Sequence, residues 1–107
     1  MEIAFYESDT ERVHVSITAT LNNGELSLDG YDYGKYVEEF RGTDDFEYSL
    51  FLNLENTNML FECLDVLNKT ETEKLEAVRD MFSSSKSVFG LYEYCKAHNI
   101  AVSYYSS

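Results

Sequence analysis

The stretch that decides the fold is VHVSITATLNNGELSL, which runs from Val13 to Leu28. Apolar and polar residues alternate on both sides of the pair Asn23-Gly24, and this period of two is typical of strands with one buried face. An Asn-Gly pair between two such strands predicts a tight hairpin turn, because both residues tolerate a positive φ. We therefore expect an antiparallel hairpin over this stretch.

The flanking parts of the first half also have the pattern of strands. Ile3 and Phe5 predict a short first strand. The alternation returns from Phe46 to Leu54, which predicts another strand after the hairpin. Phe51 lies on the otherwise polar side of that strand, so we expect both of its faces to be partly covered.

The second half has the spacing of helices. Three apolar series recur at intervals of three and four residues: Leu60–Leu67, Leu75–Phe82 and Val88–Cys95. Thr70 and Glu73 have the spacing of a capping box, which predicts a helix start, and Asn99 is a plausible C-terminal cap. Ser83-Ser84-Ser85 predicts a break between helices. The alternation from Ile100 to Tyr105 predicts a final short strand.

Strands followed by helices predict an α+β fold. We expect a small antiparallel-rich sheet of about four to five short strands, with about three helices, mostly C-terminal, packed on one face. The chain has 107 residues, of which 44% are apolar and 15% aromatic. This length and composition predict a single α+β domain over residues 1–107, and they exclude a disordered acidic tail.

The cysteines and the termini bear on the compartment. Cys63 and Cys95 both have apolar neighbours, so we expect buried, reduced thiols, although a bridge between the two helices stays open. The first residues have no basic start and no long apolar stretch, and no apolar run approaches the ~18 residues of a membrane span. These features predict a soluble, cytoplasmic protein.

Acidic residues dominate the charge. The chain has 20 Asp and Glu against eight Lys and Arg, a net charge of -12. Twelve of the acidic residues and only three of the basic ones lie in residues 1–50. Such a charge repels nucleic acid and anionic membranes, so we expect no direct nucleic-acid partner and no membrane partner.

The densest acidic stretch runs from Glu25 to Glu47 and contains several tyrosines. From Asp29 to Asp45 the pattern differs from that of the hairpin, because Tyr33, Val37 and Phe40 have the spacing of a short helix; an irregular loop is the alternative. Tyrosine is enriched at interfaces, and carboxylates steer association with a basic partner. The candidate partner-binding residues are Asp29, Tyr31, Asp32, Tyr33, Tyr36, Glu38, Glu39, Asp44, Asp45 and Glu47. Tyr105 joins them if the final strand lies nearby.

The sequence gives little support for a metal site, a catalytic nucleophile or a phosphate-binding loop. His98 and Cys95 could share a helix face, but two ligands do not make a zinc site. The stretch from Asp29 to Gly34 resembles the start of a calcium loop, yet Tyr31, Tyr33 and Phe40 occupy three of the ligand positions of such a loop. The chain has no G-x-S-x-G elbow and no glycine-rich phosphate loop. We therefore expect no metal site, no cofactor and no catalytic residue.

The sequence favours a non-enzymatic acidic binding protein that docks on a basic protein partner. The partner would be a nuclease toxin, as for an immunity protein, or a nucleic-acid-binding protein, as for an inhibitor that imitates nucleic acid. Three alternatives stay open. The charge could serve solubility alone, the chain could self-associate as a structural or assembly domain, or acidic pairs such as Glu38 and Glu39 could serve a small enzyme.

Overall fold

The computed structural model describes residues 1–34, 45–82 and 87–106. The strands are β1 Glu2–Asp9, β2 His14–Asn22, β3 Glu25–Tyr33, β4 Asp45–Leu52 and β5 Ser103–Ser106. The helices are α1 Leu54–Cys63, α2 Glu71–Phe82 and α3 Ser87–Ala97. The three helices lie between β4 and β5 in the chain.

The strands form one antiparallel sheet in the order β1-β2-β3-β4-β5, which is also their order in the chain. The central hairpin is confirmed, since Asn22 pairs with Glu25 across the turn. Asn23 and Gly24 have φ values of 52° and 80°, as a two-residue turn of the mirror-image type requires. The sheet with its three C-terminal helices confirms the predicted α+β fold.

The helices cover one face of the sheet, because β2, β3 and β4 each place alternate apolar residues on that side. The strands bury Phe5, Val15, Ile17, Ala19, Leu21, Leu26, Leu28, Tyr48, Leu50 and Leu52. The helical half buries Leu60, Phe61, Leu75, Val78, Val88, Leu91, Cys95 and Ile100 against them. At about 25 cal/mol per Å² of apolar surface, this burial is the main favourable term in folding.

Strand β3 continues beyond the point where the apolar alternation weakens. Asp29 to Tyr33 pair with both β2 and β4, so hydrogen bonds on two sides hold this stretch extended. The prediction that the strand pattern ends at Asp29 is therefore wrong. Of the residues proposed for a short helix, Tyr33 ends β3, whereas Val37 and Phe40 lie outside the described residues.

Thr57 fastens α1 to the sheet. Its side chain is fully buried. The hydroxyl accepts the N–H of Leu26 at 3.1 Å and donates to the carbonyl of Leu52 at 3.0 Å. Asn53 caps the same helix by accepting the N–H of Asn56 at 3.0 Å. One buried hydroxyl thus joins the ends of β3 and β4 to the helix that follows.

The predicted start of α2 is confirmed by a capping box. The Glu73 N–H donates to the Thr70 hydroxyl at 3.2 Å, and the Thr70 N–H donates to the Glu73 carboxylate at 3.3 Å. The hydrogen bonds from Thr70 hold the pKa of Glu73 below its usual value. The predicted break at Ser83–Ser85 lies outside the described residues.

The end of the first helix and the start of the final strand differ from their predicted positions. The first helix ends at Cys63 and excludes Leu67, because Asp65 has a φ of 58° and the Val66 N–H returns to the Phe61 carbonyl. The final strand begins at Ser103 rather than near Ile100. Ala101 instead donates its N–H to the Asn56 side chain at 2.8 Å. In both places a helix cap or side-chain contact replaces the expected pattern.

Asn99 caps α3 as predicted, in the left-handed region with a φ of 59°.

The two cysteine thiols differ in their exposure to solvent. Both are free, but Cys95 is buried and Cys63 is exposed, so the prediction of a buried Cys63 is wrong. Burial first, and the nearby Cys63 second, raise the pKa of Cys95 to about 11. None of the described helices has the length and apolar character needed to cross a membrane.

The Thr57 hydroxyl gives a direct test of how α1 is held. Thr57→Val keeps the shape of the side chain but leaves a buried N–H and a buried carbonyl without this partner. We expect the free energy of unfolding to fall by about 2–4 kcal/mol, measured by urea denaturation. The control Thr57→Ser keeps the hydroxyl and should cost about 1 kcal/mol for the lost methyl group. Equal losses in both variants would contradict the hydrogen-bonding role.

Candidate functional site

The face of the sheet opposite the helices is acidic and rich in tyrosine. The strand register aligns three rows of residues on it: Asp9–His14–Tyr33–Asp45, Glu7–Ser16–Tyr31–Glu47, and Ala4–Thr18–Asp29–Ser49–Tyr105. We call the surface formed by these three rows the open face, because none of the three described helices lies on it. It is the candidate site for a binding partner.

Five of the predicted binding residues meet on the open face: Asp29, Tyr31, Tyr33, Asp45 and Glu47. They do so because side chains alternate along a strand, so residues two apart in β3 and β4 point the same way. Tyr105 joins them through the pairing of Ser49 with β5. The remaining predicted residues of the connection, Tyr36, Glu38, Glu39 and Asp44, lie outside the described residues.

Asp32 is separated from the other predicted residues by the sheet itself. Its carboxylate accepts a hydrogen bond from the Tyr48 hydroxyl at 2.7 Å, on the side of the helices. Burial of Tyr48, together with this bond, raises the pKa of the Tyr48 hydroxyl well above its usual value. The prediction that Asp32 shares one surface with Asp29 is therefore wrong, because the two residues are three apart in a structure of period two.

Aromatic contacts organise one end of the open face. His14 stacks on Tyr33 with ring centroids 4.8 Å apart, and Tyr33 lies 5.6 Å from Tyr31. The Tyr31 hydroxyl donates to the Asp45 carboxylate at 3.3 Å. His14 Nδ1 lies 3.6 Å from the Asp9 carboxylate. This end of the open face therefore presents packed aromatic rings beside the Asp9 and Asp45 carboxylates.

A shallow depression of about 440 Å³ lies in the middle of the open face. Small side chains, among them Ser16, Thr18 and Ser49, line it between the larger Tyr31 and Tyr105. The Tyr105 side chain is 66% exposed. A surface with small residues between projecting rings can receive a side chain from a partner.

Asp29 lies in the same depression, where its negative charge is unfavourable to the folded protein. Partial burial between the strands, and then the negative charge of Glu2, raise the pKa of the Asp29 carboxyl, while a hydrogen bond from Ser27 offsets part of the rise. A carboxylate whose pKa is raised destabilises the folded protein at neutral pH. Groups of this kind are enriched at functional sites.

The charge is also separated between the sheet and the helices. The five described strands contain eight Asp and Glu and no Lys or Arg. Among the described basic residues, Lys69, Lys74, Arg79 and Lys96 belong to the helical half, and Arg12 lies in the turn before β2. The Asp, Glu, Lys and Arg residues of the described strands are therefore all acidic, whereas four of the described basic residues lie in the helical half.

A second concavity lies on the side of the helices and was not predicted. It has a volume of about 470 Å³ and is lined by Asp32, Phe46, Tyr48, Val88, Phe89, Tyr92 and Tyr104. We call it the aromatic cavity. The sequence contains little indication of this cavity, because Phe89 lies beside the apolar series of its helix and not within it. Only packing of α3 against β4 and β5 brings these rings together.

The possible zinc pair does not form a site in the described part of the chain. Cys95 is buried in the core, whereas the exposed His98 stacks on Tyr94 at 4.0 Å, and its Nδ1 lies 2.9 Å from the Tyr94 carbonyl. Across residues 1–34, 45–82 and 87–106, no three or more His, Cys, Asp or Glu side chains are grouped to hold a metal ion.

Compared with known protein families, with curated proteins and with solved structures, the chain matches none. Its function is therefore inferred from its own geometry, charge and packing.

The raised pKa of Asp29 predicts a pH-dependent gain of stability on its removal. The folded state binds this proton more tightly than the unfolded state, so the ionised group lowers stability above its folded pKa. We expect Asp29→Asn to raise the free energy of unfolding at pH 7 by roughly 0.3–0.8 kcal/mol, because the side chain is exposed and solvent screens it. The gain should vanish near pH 3, where the carboxyl is mostly protonated in both states.

A matched control removes the same charge elsewhere. Glu93 lies on an exposed position of α3, so Glu93→Gln relieves only the general repulsion of an acidic chain. Thermal unfolding of both variants at the two pH values measures the difference. An equal gain in both variants would contradict a local cost at Asp29.

Proposed function

We propose that this protein is a non-enzymatic acidic binding protein whose open face docks on a basic protein partner. The observation that supports this most is the register of β3 and β4, which gathers Asp29, Tyr31, Tyr33, Asp45 and Glu47 on a face without a described helix. The carboxylates attract a basic partner over distance, and the tyrosines supply contact area once the two proteins meet.

The charges act before contact. A surface of one sign steers an oppositely charged partner and raises the association rate by 10–10³-fold, an effect that salt screens. A Lys or Arg of the partner near Asp29 would also relieve the repulsion between Asp29 and Glu2. The repulsion from Glu2, which is the second cause of the raised pKa of Asp29 after burial, would then be offset in the complex.

The tyrosines act on contact. Tyr33 is 45% exposed and Tyr105 is 66% exposed. A tyrosine ring offers a large area at low entropic cost, because few rotatable bonds must be fixed, and its hydroxyl can donate to a partner. The stacking of His14 on Tyr33 already restricts one of these rings. Such pre-ordered anchors favour tight binding.

The partner we propose is a nuclease toxin or another nucleic-acid-binding protein. The site of such a protein receives phosphates, which in duplex DNA supply one negative charge per ~1.7 Å of helix axis. On the open face, Glu7 and Asp9 on β1, and Asp45 and Glu47 on β4, are two residues apart, a spacing of about 6.8 Å along each strand. These two carboxylate pairs, with Asp29 on β3, supply the negative charge of the open face. The free thiols fit the reducing cytoplasm, which is the location we propose.

Self-association through a sheet edge is the second candidate. The observation that favours it is the exposure of Tyr104 and Tyr105 on the edge strand β5. Two features weigh against it. Strand β5 pairs over only four residues, and β1, the other edge, carries three carboxylates and a register shift between Ala4 and Tyr6. Short, charged and irregular edges resist pairing with another sheet.

Charge reversal on the open face tests the docking proposal. We expect a triple variant Asp29→Lys, Asp45→Lys and Glu47→Lys to lose capture of the partner in pull-downs from the native host. Wild-type capture should itself disappear at about 0.5 M salt, since the screening length there is only a few Å. Added duplex DNA should compete with wild-type capture if the partner's site normally receives nucleic acid.

The matched control reverses three carboxylates of the helical half, Glu62→Lys, Asp80→Lys and Glu93→Lys. All three residues are exposed, and the net charge changes by the same amount as in the open-face variant. This control should capture the partner as the wild type does. Equal capture by both variants, or capture that survives high salt, would overturn the assignment of the open face.

Sedimentation equilibrium separates the two candidates. We expect a monomer at about 0.1–1 mM protein and moderate salt, because β5 is short and the acidic β1 edge repels a second copy. A dimer that dissociates when Tyr105 is replaced by Ser would favour self-association through β5 instead.

A further inference from the structure

The aromatic cavity has the size and shape of a small-molecule site. It occupies about 470 Å³ between the sheet and α3, within the ~300–1,000 Å³ that ligand sites span. Its inner part is formed by Val88 and Tyr48, which are only 4% and 8% exposed. Phe89 and Tyr104, at 63% and 51% exposed, are its most accessible lining residues. Large aromatic side chains exposed beside a buried apolar floor are typical of binding grooves.

The walls combine five aromatic rings with one carboxylate. Phe46 and Tyr48 lie with ring centroids 5.4 Å apart, and Tyr92 meets Tyr104 edge to face at 6.2 Å. The planes of the first pair are inclined by 33° and those of the second by 69°. The Asp32 carboxylate, held by the Tyr48 hydroxyl at 2.7 Å, supplies the negative charge.

We propose that the aromatic cavity binds a small organic cation, either a quaternary ammonium group or an amine with an apolar body. The face of an aromatic ring attracts a cation within ~6 Å of its centroid, and cages of several rings recognise quaternary ammonium ligands. One ring of the cavity already makes such a contact, since the Lys96 ammonium lies 5.7 Å from the Tyr92 centroid. A cation gains from the rings and from Asp32, whereas a neutral ligand of the same shape gains from apolar contact alone.

This site is distinct from the open face. Asp32 and the aromatic cavity lie on the side of the helices, whereas Asp29 and the tyrosine rows lie on the opposite side of the same strands. The inference therefore goes beyond docking on a basic protein and does not depend on it. The sheet separates Asp32 from the other predicted binding residues. We assign Asp32 to the binding of a small organic cation and not to the binding of a protein.

Choline and its uncharged isostere 3,3-dimethylbutan-1-ol provide a matched pair of probes. The two differ in charge but hardly in shape. In NMR titrations of the full chain at constant ionic strength, we expect choline to shift the ring resonances of Tyr48, Tyr92 and Tyr104. We expect it to bind roughly fivefold to tenfold more tightly than the isostere, as a partly desolvated cation–π and carboxylate site predicts.

Variants locate the effect within the cavity. Asp32→Asn keeps an oxygen that accepts the Tyr48 hydrogen bond, so we expect it to fold and to bind choline roughly fivefold more weakly. Glu62→Gln removes one negative charge at an exposed position of α1 outside the aromatic cavity, and should bind choline as the wild type does. Tyr92→Leu keeps much of the apolar volume but removes one ring, and should also weaken choline binding.

Three results would overturn the proposal. The first is the absence of ring shifts up to about 0.1 M choline, a concentration far above the dissociation constants of small-ligand sites. The second is equal binding of choline and its isostere. The third is an equal effect of Asp32→Asn and Glu62→Gln on choline binding. The comparison of the two probes uses the wild-type chain, so it decides the question even if a variant fails to fold.

Discussion

The pairing of β3 with β2 on one side and β4 on the other is the constraint on which the rest of the structure depends. Backbone hydrogen bonds on both sides fix the register of β3, and a shift by one residue would exchange the two faces of the strand. This register buries Leu26 and Leu28 beneath the helices. It also presents Asp29 and Tyr31 on the open face, so the core and the candidate binding surface are set by the same hydrogen bonds.

Stability is concentrated on the side of the helices. The apolar face of the sheet packs on three helices, and the buried Thr57 hydroxyl ties α1 to the ends of β3 and β4. The opposite face contributes less to this core and holds a carboxylate, Asp29, that opposes folding at neutral pH. A protein whose core lies on one side of a sheet can place like charges on the other side, because the loss of stability there is small compared with apolar burial.

The two proposed sites use the two faces of the same strands. Asp29 and Asp32 are three residues apart, yet the first lies among exposed tyrosines and the second accepts a hydrogen bond from the buried Tyr48. Their environments give them different chemistry. Asp29 lies on the open face, for which we propose a protein partner, and Asp32 lies in the aromatic cavity, for which we propose a small cation.

The sequence by itself determined the elements that depend on neighbours along the chain: the Asn23-Gly24 hairpin, the Thr70–Glu73 capping box, the order of strands and helices, and the acidic, tyrosine-rich character of β3 and β4. These features rest on interactions within a few residues and on a repeat of two or about 3.6. Tertiary structure decided the extension of β3 to Tyr33, the exposure of Cys63, the separation of Asp32 from Asp29, and the aromatic cavity. Each of these depends on contacts between residues distant in the chain, because backbone pairing and burial against another element override local patterns.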